Sequence, residues 1–574
     1  MTATSETTSR EPATGRSFDL LEEPWIPATD HAGRVHQLSI REVLGRAHEL
    51  AALGGEMPTQ EFAILRLLLA IVYRSVAHRV TNPLRTWAEL WDEWPGEDID
   101  RYLDTHRDRF DLFHPQMPFF QVPGLRSGKD AVSSLDKVIA DVPNGAKYFT
   151  TRAGQAIERI GFAEAARWLV HVHAFDPSGI KTGADGDVRV KGGRGYPIGV
   201  AWTGCLGGVY LEGGDLRRTL LLNLVLADMN GNPFARDDLP PWERDVYGPG
   251  VRERGAPGSS KVVADPNPRG PVDLFTWQSR RVRLVGSDSE VTGIVLCNGD
   301  ALEPFNRHLL EPMTAWRFSE IQSKKAGEPR HYPLTHDPDK SLWRGLRSLL
   351  DDIASAAPVN GRGIAPGVVE WAGKLLAEQA LPADQPVRLH AVGMQYVNNQ
   401  SVVGEVVDDA IGFPAALLAP DPQLRQCAVS AVRTAEAVVD ALGNLAGDLA
   451  AAAGGETDGA RARVREEGFF ALEAPYRRWL RELDPLEFDN DAAASSWEQT
   501  VYRIIRKLGS ELISTAGQPA WVGRVVRERW LDASIADGRF YHKLRMNLPS
   551  AFTTETTEPV KEETANDELV AVAF

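Results

Sequence analysis

Cysteine is scarce in this chain of 574 residues: Cys205, Cys297 and Cys427 are far apart and odd in number. That excludes a disulfide framework, argues against a cysteine-rich zinc site, and suits a reducing compartment. Long apolar runs are missing too. No stretch approaches the roughly 18 consecutive apolar residues of a membrane span. The opening MTATSETTSREPATG lacks the apolar core of a secretion signal, so a cytoplasmic location without membrane contact is expected. Basic charge is also in deficit, with 63 Lys and Arg against 79 Asp and Glu and a formal net charge of −16. Phosphate affinity comes from lysine and arginine, so non-specific nucleic-acid binding by the whole surface is excluded.

What is present points to a globular protein of at least two domains: 43% hydrophobic and 25% charged residues are ordinary values, and the length exceeds one compact core. Charge is unevenly spread. From Ala551 to Phe574 six acids face the single base Lys561, with few large apolar residues, and a disordered tail is expected. From Arg503 to Arg545 nine bases face four acids, a local net of +5.

Order is expected from Phe18, with Trp25-Ile-Pro27 extended before a proline. Pro58-Thr59 opens an apolar periodic run through Tyr73 that predicts a buried helix. Short β-like pieces (Val282–Val285, Gly293–Cys297, Val387–Val392) then alternate with helices and long connections, the longest running from Asp176 to Gly214. After Asp421-Pro422 the pattern becomes helical only. Leu424, Ala428, Ala431, Ala435, Val439, Leu442, Ala446 and Leu449 keep a 3.6-residue period. Three further amphipathic stretches follow, at about 459–483, 491–513 and 519–548, with Trp479, Trp497, Trp521 and Trp530 as their larger packing residues. The fold class read from this is α+β: a mixed N-terminal globular domain over 17–410 and an all-α four-helix bundle over 415–548. Tails are expected at 1–16 and 549–574.

Few residues suggest chemistry. His336-Asp337 resembles the metal-binding dipeptide of HD phosphohydrolases and supports an alternative reading as a metal-dependent phosphohydrolase or nuclease, but it stands in a proline-bounded loop without the helical ligands that chemistry requires. Gly192–Gly199 is glycine-rich yet lacks a Gly-Lys-Ser/Thr ending, so it suits either close approach of a nucleic-acid backbone or a plain connector. His171 and His173 alternate without a third ligand, and core histidines explain them as well as a metal does. No cofactor and no metal are expected. A scaffold that binds only protein through its bundle is a third reading.

Several segments in order resemble the CasA family, the large subunit of the type I-E CRISPR Cascade surveillance complex. They are Phe18–Pro27, His114–Gln121, Asp215–Asn223, Leu274–Gln278 and Tyr396-Val-Asn-Asn-Gln-Ser401, followed by the arginine-rich stretches Phe469–Arg481 and Arg539–Lys543. The resemblance spans about 18–548. It implies a non-catalytic subunit that recognises the protospacer-adjacent motif (PAM) of double-stranded DNA through the minor groove. It further implies help in opening the duplex for R-loop formation and a docking surface for the effector nuclease-helicase. Partners would be the other Cascade proteins, CRISPR RNA and PAM-bearing DNA, the protein reading a short signal and base pairing the rest.

By the resemblance, Gln400 is the wedge residue, flanked by Asn399 and Ser401. Composition alone leaves Asn398–Ser401 equally an ordinary Asn-rich turn. The family's glycine loop falls near Gly199, and Arg307 is the nearest substitute for its minor-groove lysine, although a solvated arginine fits that position equally. The loop with Tyr148, Phe149 and Arg152 matches one that contacts the guide-RNA handle, or else holds a core aromatic pair. Arg503, Arg506, Lys507 and Arg527 would meet unwound DNA from the bundle, or form a solvated face; Arg506 and Lys507 lie on the same helix face as Arg503.

Overall fold

The computed structural model describes residues 16–128, 130–142, 152, 155–254, 263–264, 267–350, 362–419 and 422–553. The chain forms two compact units that divide between Pro420 and Asp421. The division falls later than position 410 because the strand Val402–Pro414 and the 3-10 turn Ala415–Leu418 complete the first unit.

The first unit is organised on the helix Pro58–Val76, which the apolar run through Tyr73 predicts. Pro58 sits in its first turn, where a missing N–H costs nothing. Phe62, Ile64, Leu65, Leu67, Leu68, Leu69, Ile71 and Val72 are all buried, as expected of a helix apolar on every face. Against it pack the helices Phe162–Phe175 and Pro271–Phe275 and the strand Pro386–Val397.

The strand pairings of this unit are antiparallel. Ile26–Asp30 lies between Val35–Leu38 and Leu50–Leu53, so the Trp25-Ile-Pro27 segment is extended as its proline suggests. The three β-like pieces read from sequence fall inside Arg280–Gly286, Glu290–Asn298 and Pro386–Val397. The Asp176–Gly214 stretch differs from a simple loop. It contains the strand Gly207–Glu212, which pairs with Pro386–Val397. Two leading glycines carry little β signal, which hid this strand.

Among the described residues the second unit is helical except for one hairpin. Pro422–Ala453, Asp458–Arg481, Asn490–Ser514 and Ala533–Asn547 are its long helices, and the first packs against each of the others. Trp497 donates its indole N–H to Ala431 O (2.9 Å) and Tyr476 its hydroxyl to Ala428 O (3.0 Å). Trp479 completes this aromatic cluster, 5.5 Å from Trp497 between ring centroids.

The stretch read as one helix over 519–548 is instead a short helix, a hairpin and a helix. Gln518–Val522 ends at Gly523, whose φ of 71° no β-branched residue would tolerate. Arg524–Val526 then pairs with Arg529–Leu531, and Asp532 caps Ala533–Asn547 by accepting from Ile535 N–H at 2.8 Å. Trp521 and Trp530 consequently do not pack in the bundle; each is about half exposed, at 51% and 52%. A short helix, Pro549–Thr553, occupies the first positions assigned to the acidic tail, and the rest of that tail lies outside the described residues.

Candidate nucleic-acid interface

The antiparallel hairpin Pro386–Val397/Val402–Pro414 carries the Asn398–Ser401 turn at its tip. Register shifts at Gln395/Tyr396, where Gly404 is the extra residue on the opposite strand. Such a bulge bends a strand and re-aims side chains. Here Tyr396 turns inward and donates its hydroxyl to Phe175 O (2.6 Å). Gly204 permits that approach, because a Cβ there would collide with the Tyr396 hydroxyl.

Asn398, Asn399 and Gln400 have φ of 51°, 57° and 64°. Three consecutive non-glycine residues in the left-handed region are unfavourable by about 1–2 kcal/mol each, least for asparagine. The turn is held by its neighbours. Ser401 N–H donates to Val397 O (3.1 Å), its hydroxyl donates to Asn398 O (2.6 Å), and Ser178 N–H donates to Gln400 O (2.9 Å). The backbone is therefore pinned while the side chains face outward. Asn399, Gln400 and Ser401 are exposed, and the amide groups of Asn399 and Gln400 have no hydrogen-bond partner among the described residues.

Gln400 lines a cleft of about 320 Å³ together with Arg317, Tyr332, His336 and Tyr396. Arg317 is exposed, with its guanidinium 5.5 Å from the Tyr332 ring centre and no ion pair among the described residues. Pairing of Trp316–Phe318 with His331–Pro333 sets Arg317 opposite Tyr332. Nothing local in the sequence marks Arg317 as a neighbour of Gln400; its only signal is a basic residue directly after Trp316.

Arg307 does not line this cleft. It is half-buried, burial holds its guanidinium below the ordinary arginine range, and its Nε has no hydrogen-bond partner. Gly199 has φ of 96° and accepts from the buried Arg280 guanidinium through its carbonyl (3.0 Å). Ala201 N–H donates to Asp176 O (3.0 Å), two residues before the Ser178 that meets Gln400. The glycine loop and the turn are thus joined through residues 176–178.

Tyr148 and Phe149 lie outside the described residues. Arg152 is engaged by Asp141 (2.8 Å) and Glu164 (2.5 Å), so its guanidinium serves the fold. In the second unit Arg503, Arg506 and Lys507 are exposed on the side of Asn490–Ser514 away from its buried stripe of Trp497, Val501, Ile505 and Gly509. Arg506 bonds the Tyr502 hydroxyl (2.6 Å). Arg527 lies in the hairpin turn, not on a helix, with φ of 45°.

The residues that suggested metal chemistry are otherwise engaged. His336 donates Nε2–H to Gly208 O (2.9 Å) and Asp337 pairs with Lys340 (2.6 Å). His171 meets the Thr59 hydroxyl (3.0 Å), and His173 donates to Phe120 O (2.8 Å), both within the core. Among the described residues no three His, Cys, Asp or Glu side chains converge as metal ligands, and no helix is long and apolar enough to cross a membrane.

Residues 19–508 match the family model of the CRISPR-associated protein Cse1. The crystal structure of Thermobifida fusca Cse1 is 42% identical, with a TM-score of 0.83 over 93% of this chain and 99% of that one. The CRISPR-associated protein CasA/Cse1 of Thermus thermophilus is 29% identical over 453 residues, 77% of this chain and 79% of its own length. The fold is also shared with a chain solved in a CRISPR RNA-guided surveillance complex, at 20% identity and a TM-score of 0.61, over 88% of this chain and 100% of that one.

Proposed function

The chain belongs to the CRISPR-associated Cse1 family, and from that membership we propose that it is the large, non-catalytic subunit of a cytoplasmic RNA-guided surveillance complex. In this reading it recognises a PAM from the minor groove, helps open the duplex for pairing with CRISPR RNA, and offers a docking surface to the effector nuclease-helicase. The observation that carries the DNA-reading role is the hairpin tip: a strained turn with a pinned backbone, whose free Gln400 amide stands beside a cationic cleft. Strained backbone persists where surrounding contacts over-determine it, and such sites cluster at ligand contacts.

A side chain inserted between base pairs pays an unstacking cost of a few kcal/mol, offset by contacts to the bent or opened duplex. Rigidity at the tip lowers the entropy lost on insertion. Asn399 and Ser401 supply donors and acceptors beside it. Arg317, rather than Arg307, is the cation the cleft offers to a narrow, electronegative minor groove. The minor-groove pattern is degenerate, so tolerance of several related motifs follows.

The test uses the assembled complex on duplexes with and without a PAM. Gln400→Ala is expected to lower strand opening, read by a fluorescent base analogue next to the PAM, by about tenfold or more, in line with a lost contribution of a few kcal/mol at the unstacked step. Unchanged PAM-dependent opening overturns the wedge assignment. Replacing Arg503, Arg506 and Lys507 by glutamine is expected to weaken all sequences alike and to reduce the salt slope by about 0.7–0.9 for each phosphate no longer neutralised. An unchanged salt slope would place these residues on a solvated face.

A further inference from the structure

The glycine loop and the wedge turn share one support. Arg280 is 1% exposed, and its guanidinium reaches three segments. Its Nε donates to Asp176 Oδ2 (2.5 Å), and its Nη2 donates to the carbonyls of Asp176 (3.1 Å), Pro177 (3.1 Å) and Gly199 (3.0 Å). Its Nη1 donates to Ser279 O at 2.9 Å. Lys181 pairs with the same Asp176 carboxylate (2.6 Å). The segment so held meets the hairpin twice, through Phe175 O to the Tyr396 hydroxyl and through Ser178 N–H to Gln400 O.

We propose that Arg280 is a positioning residue that sets the distance between the Gly199 loop and the Gln400 turn, so that the two act as one reading head. A planar guanidinium with five donors in fixed geometry can tie three backbone segments in one plane, which a lysine ammonium cannot. The left-handed turn needs such outside support, because its own local bonds hold only Ser401 to Val397 and Asn398. A misplacement of about 1 Å in a positioned group can cost up to a hundredfold. Arg280 itself is buried away from the surface. Its influence passes through Asp176–Ser178 to the carbonyl of Gln400.

This inference rests on the DNA-reading role proposed above, and its test separates the two. PAM discrimination, the ratio of affinities for duplexes with and without a PAM, is measured for assembled complexes carrying Arg280→Lys, Gln400→Ala, or both. Arg280→Lys is expected to lower discrimination about tenfold, a coupling typical of residues in one network. The double variant is expected to lose less than the product of the two single losses, because a displaced wedge matters only while the wedge is present. Asp176→Asn, which keeps the backbone carbonyls but removes the charge, is expected to give a smaller loss of the same kind.

If Gln400→Ala leaves discrimination intact, the DNA-reading assignment fails and the inference with it. If Gln400→Ala lowers it while folded Arg280→Lys does not, or if the two effects simply add, the inference alone is overturned. Failure of both Arg280→Lys and Asp176→Asn to fold also overturns it, since the pair would then serve stability only.

Discussion

Glu311→Ala is expected to destabilise the first unit by about 3–5 kcal/mol, the cost of breaking a buried ion pair from one side. Arg66 and Glu311 are both fully buried and form a two-pronged pair, Nη1 to Oε1 at 2.9 Å and Nη2 to Oε2 at 2.8 Å. The same carboxylate accepts from Trp202 Nε1–H (2.9 Å) and from Met313 N–H (3.1 Å). Removing it leaves a charged guanidinium in the middle of the apolar helix Pro58–Val76, with Leu274 O at 3.4 Å as its remaining acceptor among the described residues. The Phe275 ring, 4.2 Å away, attracts the cation but does not replace two charge-assisted bonds. Urea midpoints measure the loss; a change below about 1 kcal/mol would falsify the buried pairing. The double replacement Arg66→Met/Glu311→Leu is expected to recover much of the stability, because removing both charges also removes their desolvation cost. Trp202 loses its partner in either variant, and it stands three residues after Gly199, so PAM discrimination is expected to fall even where stability recovers.

The second large effect concerns acid. Burial pushes His171 and His173 down to about 3, so both are neutral in the folded protein. An unfolded histidine titrates near 6.5, and between that value and about 3 the unfolded chain binds protons that the folded chain refuses. The stability each contributes is therefore complete above about pH 6.5 and is lost as pH falls, roughly 2 kcal/mol per histidine from pH 7 to pH 5. Glu61 and Asp238 work the other way, since burial raises each to about 7 and folding takes up their protons on acidification. Total stability therefore mixes opposing contributions, and a comparison of variants isolates one. His173→Gln, whose amide can still donate to Phe120 O, is expected to lose about 2 kcal/mol less than the parent chain between pH 7 and pH 5. Equal losses in the two proteins would mean that His173 is not held neutral. His171 and His173 lie on the helix that ends at Phe175, whose carbonyl accepts the Tyr396 hydroxyl.

Local patterns carry much of this architecture. The helix from Pro58, the three β-like pieces and the helices after Pro422 are legible because each has a strong period or a proline start. The region 519–548 reads as one helix because its apolar and basic residues are compatible with a helical face. Its interruption depends on Gly523 and on Arg527 and Glu528 taking left-handed φ of 45° and 66°, which those two residue types do not advertise. The family resemblance favours Arg307, whereas Arg317 reaches the cleft by strand pairing.

By itself, the sequence determined the mixed first domain, the helical second one, the absence of a cysteine framework and the ordered resemblance that singled out Gln400. These follow from composition, periodicity and short motifs, all of which are local. Only the tertiary structure decided that Gln400 shares a cleft with Arg317, and that a buried Arg280 ties the Gly199 loop to the segment meeting the turn. Arg280 lies 104 residues from Asp176 and 81 from Gly199. Bonds over such separations form only when the whole unit folds, and no local pattern encodes them.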